Sequence, residues 1–365
     1  MNIPERYEDV TAEWLTQALR AGGIMGDQTV IEFQIDPLGA GRSRASSLAR
    51  IAVEYDGHSQ NLPGSMLAKF VSRIQRNRDL YAGFGIFQRE IALYENLGDA
   101  IPLNMPKMYF GQVSNDSDLA AILLEEISAI SKDTLPPERR SLTADEARLA
   151  LRDVSKMHAK WWGDQNLDAF KWLTRADNDW RKSLYQKYDG AWTSLRDVLK
   201  PALKPVEVRI CDNLSGHLPT LMSELDKMPV TLIHGDFHTG NLMWDRPGQP
   251  DAVWVIDWQT PGAGPPVVDV ARFLGSAFRR SDLPSVRQDY LPAYHDSLVS
   301  HGVADYSYER LLSDYRFGLL DRLALLISGL ANLDFGQEDF VDYARTQLAN
   351  IAAAAVDAGC SELIA

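Results

Sequence analysis

The run HGDFHTGNLMW, residues 234–244, decides how this chain reads. It holds two histidines, one aspartate, one asparagine and two glycines before it turns apolar. VTLI (230–233) precedes it and NLMW (241–244) closes it, both short apolar segments. DRPGQPD (245–251) then breaks the chain with proline-glycine turn chemistry, and AVWVIDW (252–258) reads as a further strand. Two antiparallel strands bring the chain back to where it started. Asn241, at the start of the first, and Asp257, at the end of the second, are therefore expected side by side, since cross-strand neighbours lie ~5 Å apart. Asp236 sits on the loop just upstream, at the same end. Two oxygen ligands beside a third carboxylate suit a hard cation such as Mg2+, which takes few protein ligands and binds through substrate phosphates. The arrangement predicts phosphoryl transfer.

Composition sets the frame around this run. At 365 residues, 45% hydrophobic and 24% charged, the chain is long enough for two lobes with a sizeable core. Lys plus Arg number 37 against 50 Asp plus Glu, a net charge of -13, which argues against nucleic acid or an anionic membrane as the main partner. MNIPERYEDVTAEWL lacks a basic stretch followed by an apolar core, and no run of 18 apolar residues occurs, so neither secretion nor membrane spanning is expected. The only cysteines, Cys211 and Cys360, make neither a disulfide framework nor a zinc set and point to a reducing cytoplasm.

Periodicity orders the rest. VIEFQI (30–35) and SLARIAVEY (47–55) read as a hairpin, the second strand placing Ala49, Ile51, Val53 and Tyr55 on one face. SMLAKFV (65–71) is a third strand after the turn NLPG. Residues 79–97 switch to helical spacing through Leu80, Phe84, Phe87, Ile91 and Tyr94. AAILLEEI (120–127) is a buried strand, and beyond it helical patterns dominate. TADE (143–146) is a capping box opening a helix through Ala150, Val154, Met157 and Trp161. The expected class is α+β, with a small sheet-rich N-lobe over residues 1–127 and a larger helical C-lobe over 128–365.

His234-Gly235-Asp236, Asn241 five residues after that aspartate, and Ile256-Asp257-Trp258-Gln259 followed by PPVVDVARFL resemble the aminoglycoside phosphotransferase and choline kinase-like superfamily, distant relatives of protein kinases. The Asp-aromatic-Gln triplet and the loop GAGRSRASSLAR (39–50) most resemble its ecdysteroid kinase-like branch. The resemblance runs from about residue 38 to about 275 and implies a bilobal protein kinase-like fold that uses ATP and Mg2+. By the same resemblance Asp236 is the catalytic carboxylate that orients the acceptor hydroxyl and can take its proton, and Asn241 and Asp257 hold the metal. Lys69 is the lysine that reaches the α and β phosphates, Glu90 its helix partner, and the backbone of Glu125 to Ile127 the hinge that meets adenine. The phosphate loop departs from the protein-kinase pattern. Gly39 and Gly41 are present, but a Ser- and Arg-rich stretch from Arg42 to Ser47 replaces the third glycine. The hydroxyls of Ser46 and Ser47 and the loop amides are expected to cradle phosphate instead.

Other residues read as structural. His234 and His158 are expected to hold the loop and pack the lobe, and Asp269 to brace the catalytic loop or cap a helix. Arg73, Arg76 and Arg78 form a basic patch, most simply a solvated face. His234, Asp236 and His238 alternate as metallohydrolase ligands do, and a catalytically dead kinase-like scaffold is the other rival class. The expected substrate is a hydroxylated small molecule. Eight of nine tryptophans follow residue 160, and Trp161, Trp162, Trp172, Trp180 and Trp192 crowd one segment that carries no acidic excess. That favours an apolar or neutral acceptor, such as a sterol-like or aromatic alcohol, over an aminoglycoside or other antibiotic, with a hydroxyacyl-CoA as a further alternative.

Overall fold

A computed structural model describes residues 1–38, 46–57, 59–75, 78, 83–127, 142–175, 178–246, 249–278, 280, 289–331 and 338–364. The chain divides into two compact units. The first comprises Met1–Ile130, Arg246–Pro250 and Trp254–Gln259, the second Ser131–Asp245, Asp251–Val253 and Thr260–Ala365.

The first unit is built on an antiparallel sheet. Its strands are β1 (Val30–Leu38), β2 (Ser46–Tyr55), β3 (Ser65–Val71), β4 (Met108–Val113) and β5 (Ala120–Glu125), in the order β1-β2-β3-β5-β4. Successive side chains of a strand point to opposite faces. Met66, Ala68 and Phe70 of β3 therefore share a core with Ile51 and Val53 of β2 and with Trp14, Leu15 and Leu19 of α1 (Ala12–Ala21). Leu67 and Val71 belong to the other face, where Ile86, Phe87 and Ile91 of α2 (Ile86–Asn96) pack. Lys69 lies between those two residues, opposite Leu48 and Ile122 in the register, and so points at α2.

Several expectations need correction. α2 starts at Ile86, behind Gly85, which holds a left-handed conformation (φ 57°) at its N-cap; residues 79–82, where the helical spacing was expected to begin, lie outside the described residues. α1 and β4 had no counterpart in the sequence reading. β4 (MYFGQV) is half-buried except for Phe110 and shows no alternation to read. The strand expected at 252–258 is Gln249–Val255, and its last residue donates its backbone N–H to the Asn104 carbonyl (2.9 Å).

The second unit is helical. Its first described helix, α3 (Ala144–Lys160), opens on the expected capping box: Glu146 N–H donates to Thr143 Oγ1 (3.3 Å) and Thr143 N–H to Glu146 Oε2 (2.8 Å). Ala150, Val154, Met157 and Trp161 are buried as their spacing predicts. α4 (Asp179–Gln186), α5 (Tyr188–Leu199), α6 (Pro205–Leu214) and α7 (Leu218–Asp226) follow. Next come β6 (Thr231–Ile233), β7 (Leu242–Arg246), β8 (Gln249–Val255) and β9 (Gly262–Gly264). β6 pairs antiparallel with β9, and β7 with β8. α8 (Val267–Ala277), α9 (Leu291–Ser300), α10 (Tyr308–Leu330) and α11 (Glu338–Asp357) complete the unit.

α8 is buried along its whole length and lies against α10. At Gly318 an added Cβ would stand 2.8 Å from the Val267 carbonyl oxygen and 3.1 Å from Ala271 Cβ. Only a glycine lets the two helices approach there. Among the described residues no helix is long and apolar enough to cross a membrane.

Candidate active site

In the first unit Lys69, Glu90 and Asp257 converge. The Lys69 ammonium, 4% exposed, is 2.7 Å from Glu90 Oε2 and 2.5 Å from Asp257 Oδ1. Glu90 is buried, as are Phe87 and Ile91 beside it in α2. Burial drives the Lys69 proton affinity down, but the charges of Asp257 and Glu90 outweigh it and leave the pKa raised, so the lysine is cationic. Glu90 is pushed up by its burial, against the opposing charge of Lys69. Asp257 follows the end of β8 in a left-handed conformation, φ 64°, unusual outside glycine though commoner for aspartate. Trp258 anchors that turn: it is fully buried and its Nε1–H donates to the Val255 carbonyl (3.2 Å). Strained backbone of this kind persists where the surroundings over-determine it, as at functional sites.

In the second unit the loop after β6 is held from below. Asp269, in the first turn of α8, accepts the backbone N–H of His234 at Oδ2 (2.7 Å) and of Gly235 at Oδ1 (2.8 Å). His158 of α3 stands between Asp269 Oδ2 (3.3 Å) and the Tyr294 hydroxyl (2.7 Å). Asp269 thus braces the loop, and His158 is structural. The His234 ring is buried and accepts the Asp236 N–H at Nδ1 (3.2 Å). Gly235 has φ 82°, and a Cβ there would meet the Thr260 carbonyl oxygen at 2.1 Å. The loop therefore turns Asp236 outward, its side chain 38% exposed, while Asn241 Nδ2 donates to the Asp236 carbonyl (3.0 Å) and closes the turn.

Two groups address the Asp236 carboxylate directly. Arg272 Nε, one helical turn beyond Asp269, donates to Oδ1 at 2.8 Å. His238 Nε2 lies 3.4 Å from Oδ2. The His238 Nδ1 accepts the Gly240 N–H (3.0 Å), which places the ring proton on Nε2, toward the carboxylate. Burial lowers the His238 pKa, and nearby Arg272 lowers it further, so the ring is neutral at pH 7. For Asp236, burial acts upward, but Arg272 first, then His238 and Arg322, hold the carboxyl well below the usual range. Burial and the like charge of Arg272 bring Arg322, on α10, down to about 10. Arg272 Nη1 and Arg322 Nε are both buried without a hydrogen-bond partner.

Each oxygen donor expected at the metal, taken by itself, is of the kind a hard cation accepts. The Asn241 amide nitrogen is committed to the Asp236 carbonyl, which turns its Oδ1 the other way. Lys69 takes one oxygen of half-buried Asp257 and leaves the second. Asp257 belongs to the first unit, Asp236 and Asn241 to the second. Among the described residues no group of three or more His, Cys, Asp or Glu could hold a metal, and Nδ1 of His234 and of His238, the two histidines of the metallohydrolase reading, accepts one of the loop's own N–H groups.

Of the other expected site residues, Ser46 is buried and Ser47 half-buried at the start of β2, opposite Val71 and Phe70. Gly39 and Gly41 lie outside the described residues, as does Arg76 of the basic patch. Glu125 ends β5 with its N–H donated to the Lys107 carbonyl (2.7 Å), and Ile127 follows half-buried. Arg272 and Arg322 went unread in the sequence. Their signals are small: an arginine three residues after Asp269, and a charged pair, Asp321-Arg322, inside the apolar stretch LLDRLALL (319–326).

Trp161 and Trp192 are buried, and Trp192 Nε1–H donates to Asp212 (2.8 Å). Trp162, half-buried, packs against Tyr306 with ring centroids 4.9 Å apart. Packing of the helical unit accounts for these three rings.

Comparison with known proteins adds an independent line. The family described as APH, Phosphotransferase enzyme family, matches residues 68–312. No curated protein matches the chain at a significant level. Among solved structures, a putative aminoglycoside phosphotransferase from Ralstonia eutropha JMP134 superposes with a TM-score of 0.54 at 14% identity, covering 96% of this chain and 98% of its own. The GDP complex of aminoglycoside 2'-phosphotransferase-IIIa gives 0.54 at 14%, covering 94% and 99%. A microcompartment-associated aminopropanol kinase gives 0.50 at 14%, covering 96% and 99%. Identities this low establish a shared fold, the α+β architecture of kinase-like phosphotransferases.

Proposed function

Because the chain belongs to the APH family of phosphotransferase enzymes, which act on hydroxyl-bearing small molecules, we propose that it transfers the γ-phosphate of ATP to an alcohol, with Asp236 as the catalytic residue. The observation that carries the reading is the Lys69 ammonium clamped between Glu90 and Asp257, inside the segment that matches the family. The first unit is the nucleotide-binding lobe in this reading. Lys69 addresses the α and β phosphates, Glu90 holds it, and Gly39, Gly41, Ser46 and Ser47 line the phosphate loop. Adenine meets the backbone of Glu125 to Ile127, with the Glu125 N–H already used within the sheet. Mg2+ on Asn241 and Asp257 would supply charge compensation for the phosphates.

The second unit carries the acceptor chemistry. The acceptor oxygen bonds to the γ-phosphorus as the bond from that phosphorus to the β–γ bridging oxygen breaks, and ADP leaves. Asp236 orients the hydroxyl and takes its proton. Its low proton affinity matches a loose transition state, in which the proton leaves late and positioning does most of the work.

The acceptor is an alcohol on a largely apolar small molecule rather than a polycation. Thr174 bonds to the β9 segment through its N–H to Pro261 O (3.1 Å) and its carbonyl to Ala263 N–H (2.8 Å). Half-buried Trp172 stands two residues before that tie in the chain. The guanidinium groups of Arg272 and Arg322 near Asp236 disfavour a polycationic aminoglycoside. The Asp257-Trp258-Gln259 triplet and the loop 39–50 align the chain with the ecdysteroid kinase-like branch. The buried free thiols of Cys211 and Cys360 fit a reducing cytoplasm.

A phosphorylation screen with ATP and Mg2+ against hydroxylated metabolites, steroids and antibiotics tests the reading. Turnover of an alcohol is expected, falling about 10²–10⁴-fold in Asp236→Asn with ATP binding nearly intact. Lost ATP affinity with retained turnover in that variant would sink the assignment.

A further inference from the structure

The surroundings of Asp236 hold more positive charge than one carboxylate needs. Arg272 spends Nε on Asp236 Oδ1 and leaves Nη1 buried with no partner. Arg322 is close enough for its charge to act on Asp236, His238 and Arg272, and its Nε is also buried with no partner. The acid beside it in sequence, Asp321, adds an opposing charge but is paired elsewhere. Its Oδ1 takes the guanidinium of Arg181 and the hydroxyl of Tyr185 (2.6 Å). His238, neutral and turned to Asp236 through Nε2, adds no negative charge.

The position of these arginines follows from the backbone. Gly318 lets α10 come against Val267 and Ala271 of α8. Arg272 follows Ala271 directly, and Arg322 lies one helical turn beyond Gly318. A guanidinium that keeps a buried N–H donor unused, Nη1 on buried Arg272 and Nε on half-buried Arg322, is costly unless an anion completes it. Arginine's planar fork is suited to carboxylate and phosphate.

We propose that Arg272 and Arg322 form the recognition site for an oxyanion carried by the acceptor, so that the molecule phosphorylated is an alcohol with a carboxylate or phosphate close to its reacting hydroxyl. The proposal rests on the phosphotransferase reading and narrows its acceptor to a molecule with an apolar body and one anionic end. Asp236 then serves two ends of the same ligand: it meets the hydroxyl, and through Arg272 it fixes the fork that receives the anion. An acidic acceptor is steered toward the nucleophile's position and a cationic one is repelled.

The first measurement needs no turnover. Inorganic phosphate is titrated against the full chain by 31P line broadening, in wild type, Arg322→Gln, Arg322→Lys and Lys69→Met. Saturable binding is expected in wild type, weakened about tenfold in Arg322→Gln, partly restored in Arg322→Lys and kept in Lys69→Met. Binding lost in Lys69→Met but untouched in Arg322→Gln would assign the phosphate to the nucleotide site and overturn the proposal, as would no saturable binding in wild type.

The second measurement pairs hydroxy acids and phosphorylated alcohols with their neutral esters and amides as acceptors for ATP and Mg2+. The anionic members are expected to be the substrates, and Arg322→Gln to raise KM for the acceptor about tenfold while KM for ATP stays level. Preference for the neutral members, or a rise in KM for ATP alone, would overturn it. Should no acceptor of either kind turn over while phosphate binding follows Arg322, the failure lies with the phosphotransferase reading and not with the anion site.

Discussion

At the scale of single residues, the charge state of Asp236 is the quantity on which the proposed chemistry turns. Arg272 stabilises its ionised form and so keeps its pKa low, against the upward push of burial. The contribution of this shift to stability is present above the ordinary carboxylate range and is lost as pH falls through the depressed folded value. Replacing Arg272 with Gln removes the largest lowering charge, so the Asp236 pKa rises and the acidic limb of kcat moves to higher pH. A pH profile at saturating acceptor checks this, and a limb that stays put or moves down would show that Asp236 does not set it. HGD-x4-N and the aspartate of IDW stand out in the sequence because their spacing resembles a family motif. Arg272 and Arg322 do not, because an arginine in a helix has no fixed partner in sequence. Only the packing of α8 against α10 assigns them to Asp236.

At the scale of elements, the loop that presents Asp236 depends on Gly235 more than its size suggests. A residue with φ 82° and a carbonyl oxygen 2.1 Å from its would-be Cβ tolerates no side chain. Gly235→Ala is expected to cost about 1–2 kcal/mol for the left-handed conformation alone, with the clash against Thr260 added to it. The loop must shift to relieve that clash, so kcat should fall more than the stability loss explains. Thermal unfolding and single-turnover rates measured together check this, and an unchanged kcat would show that the loop's position is not what orients Asp236. The sheet strands were legible at this scale because alternation is local: Ala49, Ile51 and Val53 line one face as their period requires. β4 was not, since its neighbours rather than its own pattern give it a place beside β5. The apolar stripe expected to run unbroken from Phe84 to Phe87 is interrupted at Gly85, whose left-handed backbone sets the start of α2.

At the scale of the whole molecule, ligand binding should appear as stability. A ligand that binds only the folded chain stabilises it by about 2.7 kcal/mol at a hundredfold excess over its Kd. ATP with Mg2+ is therefore expected to raise the unfolding temperature of the wild-type chain, and ATP without Mg2+ to raise it less. Asp257→Ala should abolish the difference between the two if Asp257 is the metal's carboxylate, as proposed, while Lys69 keeps Glu90 as its partner. A Mg2+-dependent shift that survives in Asp257→Ala, read by calorimetry, would remove Asp257 from the metal site.

The sequence by itself determined the α+β class, the strand that carries Lys69, the helix that carries Glu90 and the loop that presents Asp236. These rest on periods of two and 3.6 residues and on spacings along one stretch of chain, which local sterics and hydrogen bonding enforce. The tertiary structure decided what those residues face. It set Asp257 against Lys69 by turning the backbone left-handed after β8, engaged both loop histidines with backbone N–H groups, and buried Trp161 and Trp192 in the helical unit. It also brought two guanidinium groups to the Asp236 carboxylate. The reason is physical: a side chain's charge state and partners depend on groups distant in sequence that burial brings within a few ångströms, and no local pattern encodes them.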